Sequence, residues 1–172
     1  MGTVSKIDGF AGNNNLRARF VDIYVYADDG GSDVTFTQGE ALAFEIRQTG
    51  TVHITVNGSA QLAATYFGLG NMAAKAHSGT EDLKCAFGIL DETVTVEPGK
   101  YQKVSVQVAG LNSKVKVATA SGTMGDAIEA GGTAGYCQTA ASADTLPLGY
   151  VVKEGTDNTF DTTVILSNPL NL

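Results

Sequence analysis

The sequence predicts a mainly β protein, an antiparallel small barrel or sandwich with an extended N-terminal arm and one short helix. Three observations carry this. Short β-branched runs recur about every ten residues, separated by turn residues. Glycine is frequent, at 21 of 172 residues, and only 17 % of residues are charged against 43 % hydrophobic. Many turns between short strands suit a sheet that folds back on itself. That ratio of apolar to charged residues belongs to a chain able to bury a core, not to a disordered one.

Residues 1–19 read as the arm. Asn13-Asn14-Asn15 follows Gly9 and Gly12, and no apolar period begins before Phe20. Such a segment orders itself only against a partner or the body of the fold. Ile7, Phe10, Leu16, Arg17 and Arg19 make it more apolar and basic than a solvated tail requires, and with Asn13 of the Asn/Gly-rich start they are the candidate contact residues.

Residues 20–95 are expected to form a β-rich subdomain. Phe20 to Tyr26 is rich in β-branched and aromatic residues and stops at Asp28-Asp29-Gly30-Gly31. Residues 43–47 alternate, as does Val52-His53-Ile54-Thr55-Val56, which puts the three aliphatic residues on one face. Asn57-Gly58 is a two-residue hairpin signal only where a strand follows, and none is evident after it. Leu62, Tyr66, Leu69 and Ala73 instead recur at helical spacing, predicting a short helix around 60–77, weakened by Gly68 and Gly70.

Residues 96–172 read as a second, barrel-like subdomain. Thr93-Val94-Thr95-Val96 precedes a Pro98-Gly99 turn, and residues 103–108 alternate. Gly110 and Asn112 then predict a turn, with Val115-Lys116-Val117 returning. Strands are expected near Ala127-Ile128 and Gly135-Tyr136-Cys137. A closing hairpin pairs Tyr150-Val151-Val152 with Val164-Ile165-Leu166.

The charge excludes some functions. Eleven basic against eighteen acidic residues leave a net charge of −7, which gives no long-range attraction to a phosphate backbone, so no nucleic-acid partner is expected. No run of about 18 apolar residues predicts a membrane span. The start lacks the apolar core of a secretory signal, which implies a reducing compartment and makes Cys85 and Cys137 buried free thiols.

Candidate chemistry resolves to ordinary structure, and neither a catalytic residue, a cofactor nor a metal is expected. Gly68-Leu69-Gly70-Asn71-Met72-Ala73 has the spacing of a dinucleotide fingerprint without the buried strand that must precede it. The acidic run Asp28 to Asp33 lacks the alternating register of a calcium loop and reads as a solvated turn. His53 and His77 have no orienting carboxylate nearby in sequence, and no G-x-S-x-G elbow is present. Glu81-Asp82 and Asp91-Glu92 read as loop charges.

Residues 103–166 resemble the small tulip-like head decoration (capsid cement) proteins of tailed bacteriophages. The likeness rests on Val104-Ser105-Val106-Gln107-Val108-Ala109-Gly110, Val115-Lys116-Val117-Ala118, Gly125-Asp126-Ala127-Ile128, Leu148-Gly149-Tyr150-Val151-Val152 and Thr163-Val164-Ile165-Leu166. It implies a non-enzymatic virion protein made in the host cytoplasm. It would bind the major capsid protein on the outside of an assembled head, as a homo-oligomer and in particular a trimer, with the arm against capsid strands. Two alternatives stand beside it. One is a carbohydrate- or receptor-binding β module of a fibre or spike, with Tyr24, Tyr26, Tyr66 and Tyr101 as stacking faces. The other is a small β enzyme acting on a polymer.

Overall fold

The computed structural model describes residues 17–45, 54–61, 63, 71–80, 83–118, 123–140, 147–155 and 162–167. Thirteen strands lie among them. In chain order these are β1 (Arg19–Tyr26), β2 (Val34–Phe36), β3 (Ala41–Phe44), β4 (Ile54–Val56), β5 (Ser59–Gln61), β6 (Met72–Lys75) and β7 (Ala86–Leu90). They continue with β8 (Val94–Val96), β9 (Tyr101–Val115), β10 (Ala127–Ala130), β11 (Cys137–Thr139), β12 (Gly149–Lys153) and β13 (Thr162–Ser167).

Nine of these form one sheet, in the order β1-β6-β3-β7-β9-β13-β12-β10-β11. The sheet bends back on itself, because β1 pairs antiparallel with β9 as well as parallel with β6. At the far edge Val117, just beyond β9, bridges Cys137 of β11. The architecture is mainly β and sandwich-like, so of the two forms the sequence allowed, the closed barrel is not the one adopted. β2 with β8, and β4 with β5, make two small separate sheets.

The strands form where the residues favour pleated packing, and their faces show which core each serves. Ile23 and Val25 of β1 and Val104, Val106 and Val108 of β9 point into one cluster, with Leu42 and Phe87. Val115, Ile128, Val151, Val164 and Leu166 point into another, against Ala41, Ala43 and Ile89. β3 and β7 therefore have a core on each face and are the middle layer. This explains β7: Ala86-Phe87-Gly88-Ile89-Leu90 is buried at every position, and a strand covered on both faces shows no alternation. The second cluster draws on both halves of the chain, and β9 pairs with β1, β7 and β13.

Three sequence expectations are corrected. The turn expected at Gly110 and Asn112 is instead the middle of the fifteen-residue β9. Gly110 has φ +90°, and a Cβ there would fall 2.5 Å from the Arg17 carbonyl oxygen. Glycine marks a kink and a close chain crossing here, not a reversal. Asn57 and Gly58, at φ 51° and 76°, do make a hairpin turn, because Ser59–Gln61 pairs back with Ile54–Val56. The helix expected around 60–77 does not extend over that range: Ala63 within it is helical, but β5 covers 59–61, and Met72 and Ala73 lie on β6, paired with β1 and β3. Leu62, Tyr66 and Leu69 of its stripe lie outside the described residues.

Candidate functional site

Of the contact residues proposed for the arm, Ile7, Phe10, Asn13 and Leu16 lie outside the described residues. Arg17 and Arg19 are described, and both are exposed. Arg19 opens β1 opposite Ala109, and Arg17 crosses the kink at Gly110.

Among the described residues, those weighed as catalytic or metal-binding are not brought together. Among the described residues, no three His, Cys, Asp or Glu side chains form a group able to hold a metal ion. His77 Nδ1 accepts the Gly79 amide at 2.9 Å, which ties it to its own turn. Asp29 caps a neighbouring element by accepting the Thr55 hydroxyl at 3.0 Å. Met72 and Ala73, where a dinucleotide fingerprint needs the first turn of a helix, are on a strand. His53, Glu81 and Asp82 lie outside the described residues. No helix among the described residues is long and apolar enough to cross a membrane.

The cysteines differ from each other. Both are free, Cys137 is fully buried, and Cys85 is exposed, which corrects the expectation that both are buried. Cys85 precedes β7 on an exposed connection, where its neighbour Lys84 is also solvated. Burial penalises the Cys137 thiolate and pushes its pKa up to about 12, so that thiol is inert.

Two polar groupings have structural roles. A cleft of about 150 Å³ runs beside β9, between Gln38, Asp91 and Asn112. Gln38 Nε2 donates to the Asp91 carbonyl, and the amides of Gln107 and Asn112 are engaged with β9 itself. Gln107 Nε2 donates to the carbonyls of Ala109 and Leu111, Asn112 donates to Gln107 Oε1, and the Lys114 amide donates to Asn112 Oδ1. These bonds satisfy buried groups where the strand kinks. Elsewhere the buried Glu45 carboxylate accepts the Tyr26 hydroxyl at 2.7 Å.

The described tyrosines do not form one stacking platform. Tyr26 is buried, and Tyr24 meets the edge of the exposed Tyr101 with ring centres 5.8 Å apart; Tyr66 lies outside the described residues. What the described surface does offer is apolar sheet. Leu111 and Tyr150 are about half exposed, at 50 % and 48 %, on strands that pair through β13. Sequence reasoning missed Leu111 because it placed a turn there. Tyr150 was recoverable, since alternation with the buried Val151 turns it outward.

No family model matches this chain, and no curated protein matches it by sequence. Among solved structures it is similar to the N base of the head fibre gp8.5 of bacteriophage phi29, with a TM-score of 0.52 at 14 % identity. The likeness covers 87 % of this chain and 96 % of that one. At that identity the two share a fold.

Proposed function

We propose that this chain is a structural protein of a bacteriophage virion that binds the outer surface of the assembled head and stabilises it, as a head decoration protein. The observation that carries the proposal is the fold shared with a head-fibre base along nearly the full length of both chains. The exposed apolar sheet face around Leu111 and Tyr150 fits a protein that works by contact.

The partner in this reading is the major capsid protein. The contact includes the N-terminal arm through Ile7, Phe10, Asn13, Leu16, Arg17 and Arg19, and copies associate as a homo-oligomer, with a trimer matching threefold positions on a shell. Stabilisation follows from mass action. A ligand that binds only the assembled shell favours it by about 2.7 kcal/mol per site at a concentration 100 times its Kd.

The test is co-sedimentation of the purified protein with assembled heads, followed by release of DNA on heating. Saturable binding that raises the release temperature is expected, and removal of residues 2–19 should abolish it while the body stays folded. Protein that stays in the supernatant at micromolar concentration sinks the proposal.

A second reading is a receptor- or carbohydrate-binding base of a fibre, favoured by the fibre assignment of the structural neighbour and by the exposed Tyr101 ring with Tyr24 at its edge. Binding on a glycan array that Tyr101→Ala removes, with no binding to heads, selects it.

A further inference from the structure

Asparagine followed by glycine occurs once in this chain, at Asn57-Gly58, and that pair turns the β4–β5 hairpin. Asparagine in such a pair can react with its own backbone. The Gly58 amide nitrogen attacks the Asn57 side-chain carbonyl carbon, a five-membered succinimide closes, and the side-chain nitrogen leaves as ammonia. Water then opens the ring at either carbonyl. One product is aspartate; the other is isoaspartate, with the main chain rerouted through the side chain. Glycine favours the first step because no Cβ shields its nitrogen. Asn57 and Gly58 are both exposed, and among the described residues no atom beyond the chain neighbours lies within 4 Å of where a Cβ on Gly58 would stand. The surroundings therefore leave the site open to water. Asn112, which precedes Ser113, is by contrast 7 % exposed, and its amide is held by Gln107 and the Lys114 N–H.

The turn itself opposes the reaction. Asn57 and Gly58 have φ of 51° and 76°, the left-handed values that a two-residue primed turn requires. In that conformation ψ is about +47°, which sets the Gly58 nitrogen roughly 167° from Cβ about the Asn57 Cα–C bond, almost opposite it. Ring closure needs the nitrogen to eclipse Cβ instead. The closed hairpin thus keeps nucleophile and carbonyl carbon apart.

The hairpin is also a small unit. β4 and β5 share three residue pairs and form a sheet of their own, and two strands without a third are marginal. Its ties to the body are few. Ile54 is buried beside Tyr26 and Met72, the Thr55 amide donates to the Gly99 carbonyl, and the Thr55 hydroxyl donates to Asp29. Local opening of such a unit requires less than global unfolding.

We propose that Asn57-Gly58 is a self-modifying site gated by its own hairpin: Asn57 is stable while the turn is closed and converts to isoaspartate and aspartate through openings of β4–β5. Isoaspartate adds a carbon to the main chain of a turn that holds only two residues, so the modified hairpin does not re-form and Ile54 loses its place beside Tyr26 and Met72. The reaction consumes water alone, and it holds whether or not the virion reading does.

The test incubates the full chain at mildly alkaline pH, folded or unfolded in urea. The peptide containing Asn57 is followed by mass, which rises as the amide becomes an acid, and by chromatography, which separates the isoaspartyl form. Conversion is expected to be at least about tenfold slower in the folded protein. Thr55→Val removes the hydroxyl bond to Asp29, and should speed conversion of the folded chain about fivefold while leaving the unfolded rate unchanged. Asn57→Gly, which still suits the turn, should remove the product. Equal rates in the folded and unfolded chain, or a folded Thr55→Val chain no faster than the parent, overturn the gate. An unfolded chain that gives no product at Asn57 overturns the site.

Discussion

Replacing Glu40 by Leu should be among the most damaging single changes available in this protein. Glu40 lies just before β3 and is 3 % exposed. Its Oε2 accepts the Thr37 amide at 3.0 Å and sits 2.9 Å from Lys75 Nζ. Its Oε1 is 3.2 Å from the same nitrogen and 3.8 Å from Lys116 Nζ. Lys116 in turn lies over the Tyr136 ring at 4.0 Å, and a Cβ on Gly135 would fall 2.9 Å from Glu40 Cδ. The carboxylate thus draws together β6, the end of β9 and the approach to β11. Removing one member of a buried ion pair costs about 3 to 5 kcal/mol, because the remaining charge is left without a partner. Here the lysine side chains are 24 % and 13 % exposed and regain some water. The lower end, about 3 kcal/mol, is therefore the expected loss. For a domain of this size that corresponds to a fall in Tm of roughly 6 to 12 °C. The assay is urea unfolding followed by far-UV circular dichroism, with the double variant Glu40→Leu/Lys75→Met measured beside it. Removing the stranded lysine should restore part of the loss. A single variant within about 1 kcal/mol of the parent, or a double variant whose loss is the sum of the two singles, would refute the reasoning.

Further outcomes follow from the same packing. Phe87 is fully buried and stacked on Phe44 with ring centres 4.1 Å apart, so Phe87→Ala should cost about 3 to 5 kcal/mol in urea unfolding through the cavity it leaves. Gly149→Ala should cost about 1 to 3 kcal/mol by the same assay, since its Cβ would meet the Ile165 carbonyl oxygen across the β12–β13 pairing. A thiol reagent at pH 8 should titrate Cys85 within minutes and Cys137 only after unfolding, read as one thiol per native chain. Because the folded state holds the Cys137 proton up to about pH 12, this group leaves stability unchanged below pH 8.5 or so. Above that, only the unfolded chain ionises, and stability should fall by about 1.4 kcal/mol per pH unit. Cys137→Ala should remove that slope in unfolding curves measured between pH 8 and 10.

Several strands are legible from residues alone. Phe20 to Tyr26, Val94 to Val96 and the closing pair around Val151 and Val164 alternate or cluster as half-buried strands do, and each forms. β6 and β7 were not legible. Met72-Ala73-Ala74-Lys75 has weak strand preference, and Ala73 continued a helical stripe; its pairing with β1 and β3 overrides that local signal. β7 lacks alternation because it has a core on both faces. Of the exposed apolar face, Tyr150 was legible from its alternation with Val151, whereas Leu111 and Ile165 were not, because their shared face depends on register.

What the sequence determined by itself is the mainly β class, most strand positions and the acidic net charge. These depend on side-chain chemistry and on periods of a few residues. Only the tertiary structure decided that β9 runs unbroken through Gly110 to serve two cores, that Glu40 meets Lys75 and Lys116, and that Leu111, Ile165, Tyr150 and Ala127 stand in line. Each of those joins residues far apart in the chain. Strand register and the crossing of one segment over another set such contacts, and no local pattern of residues encodes them.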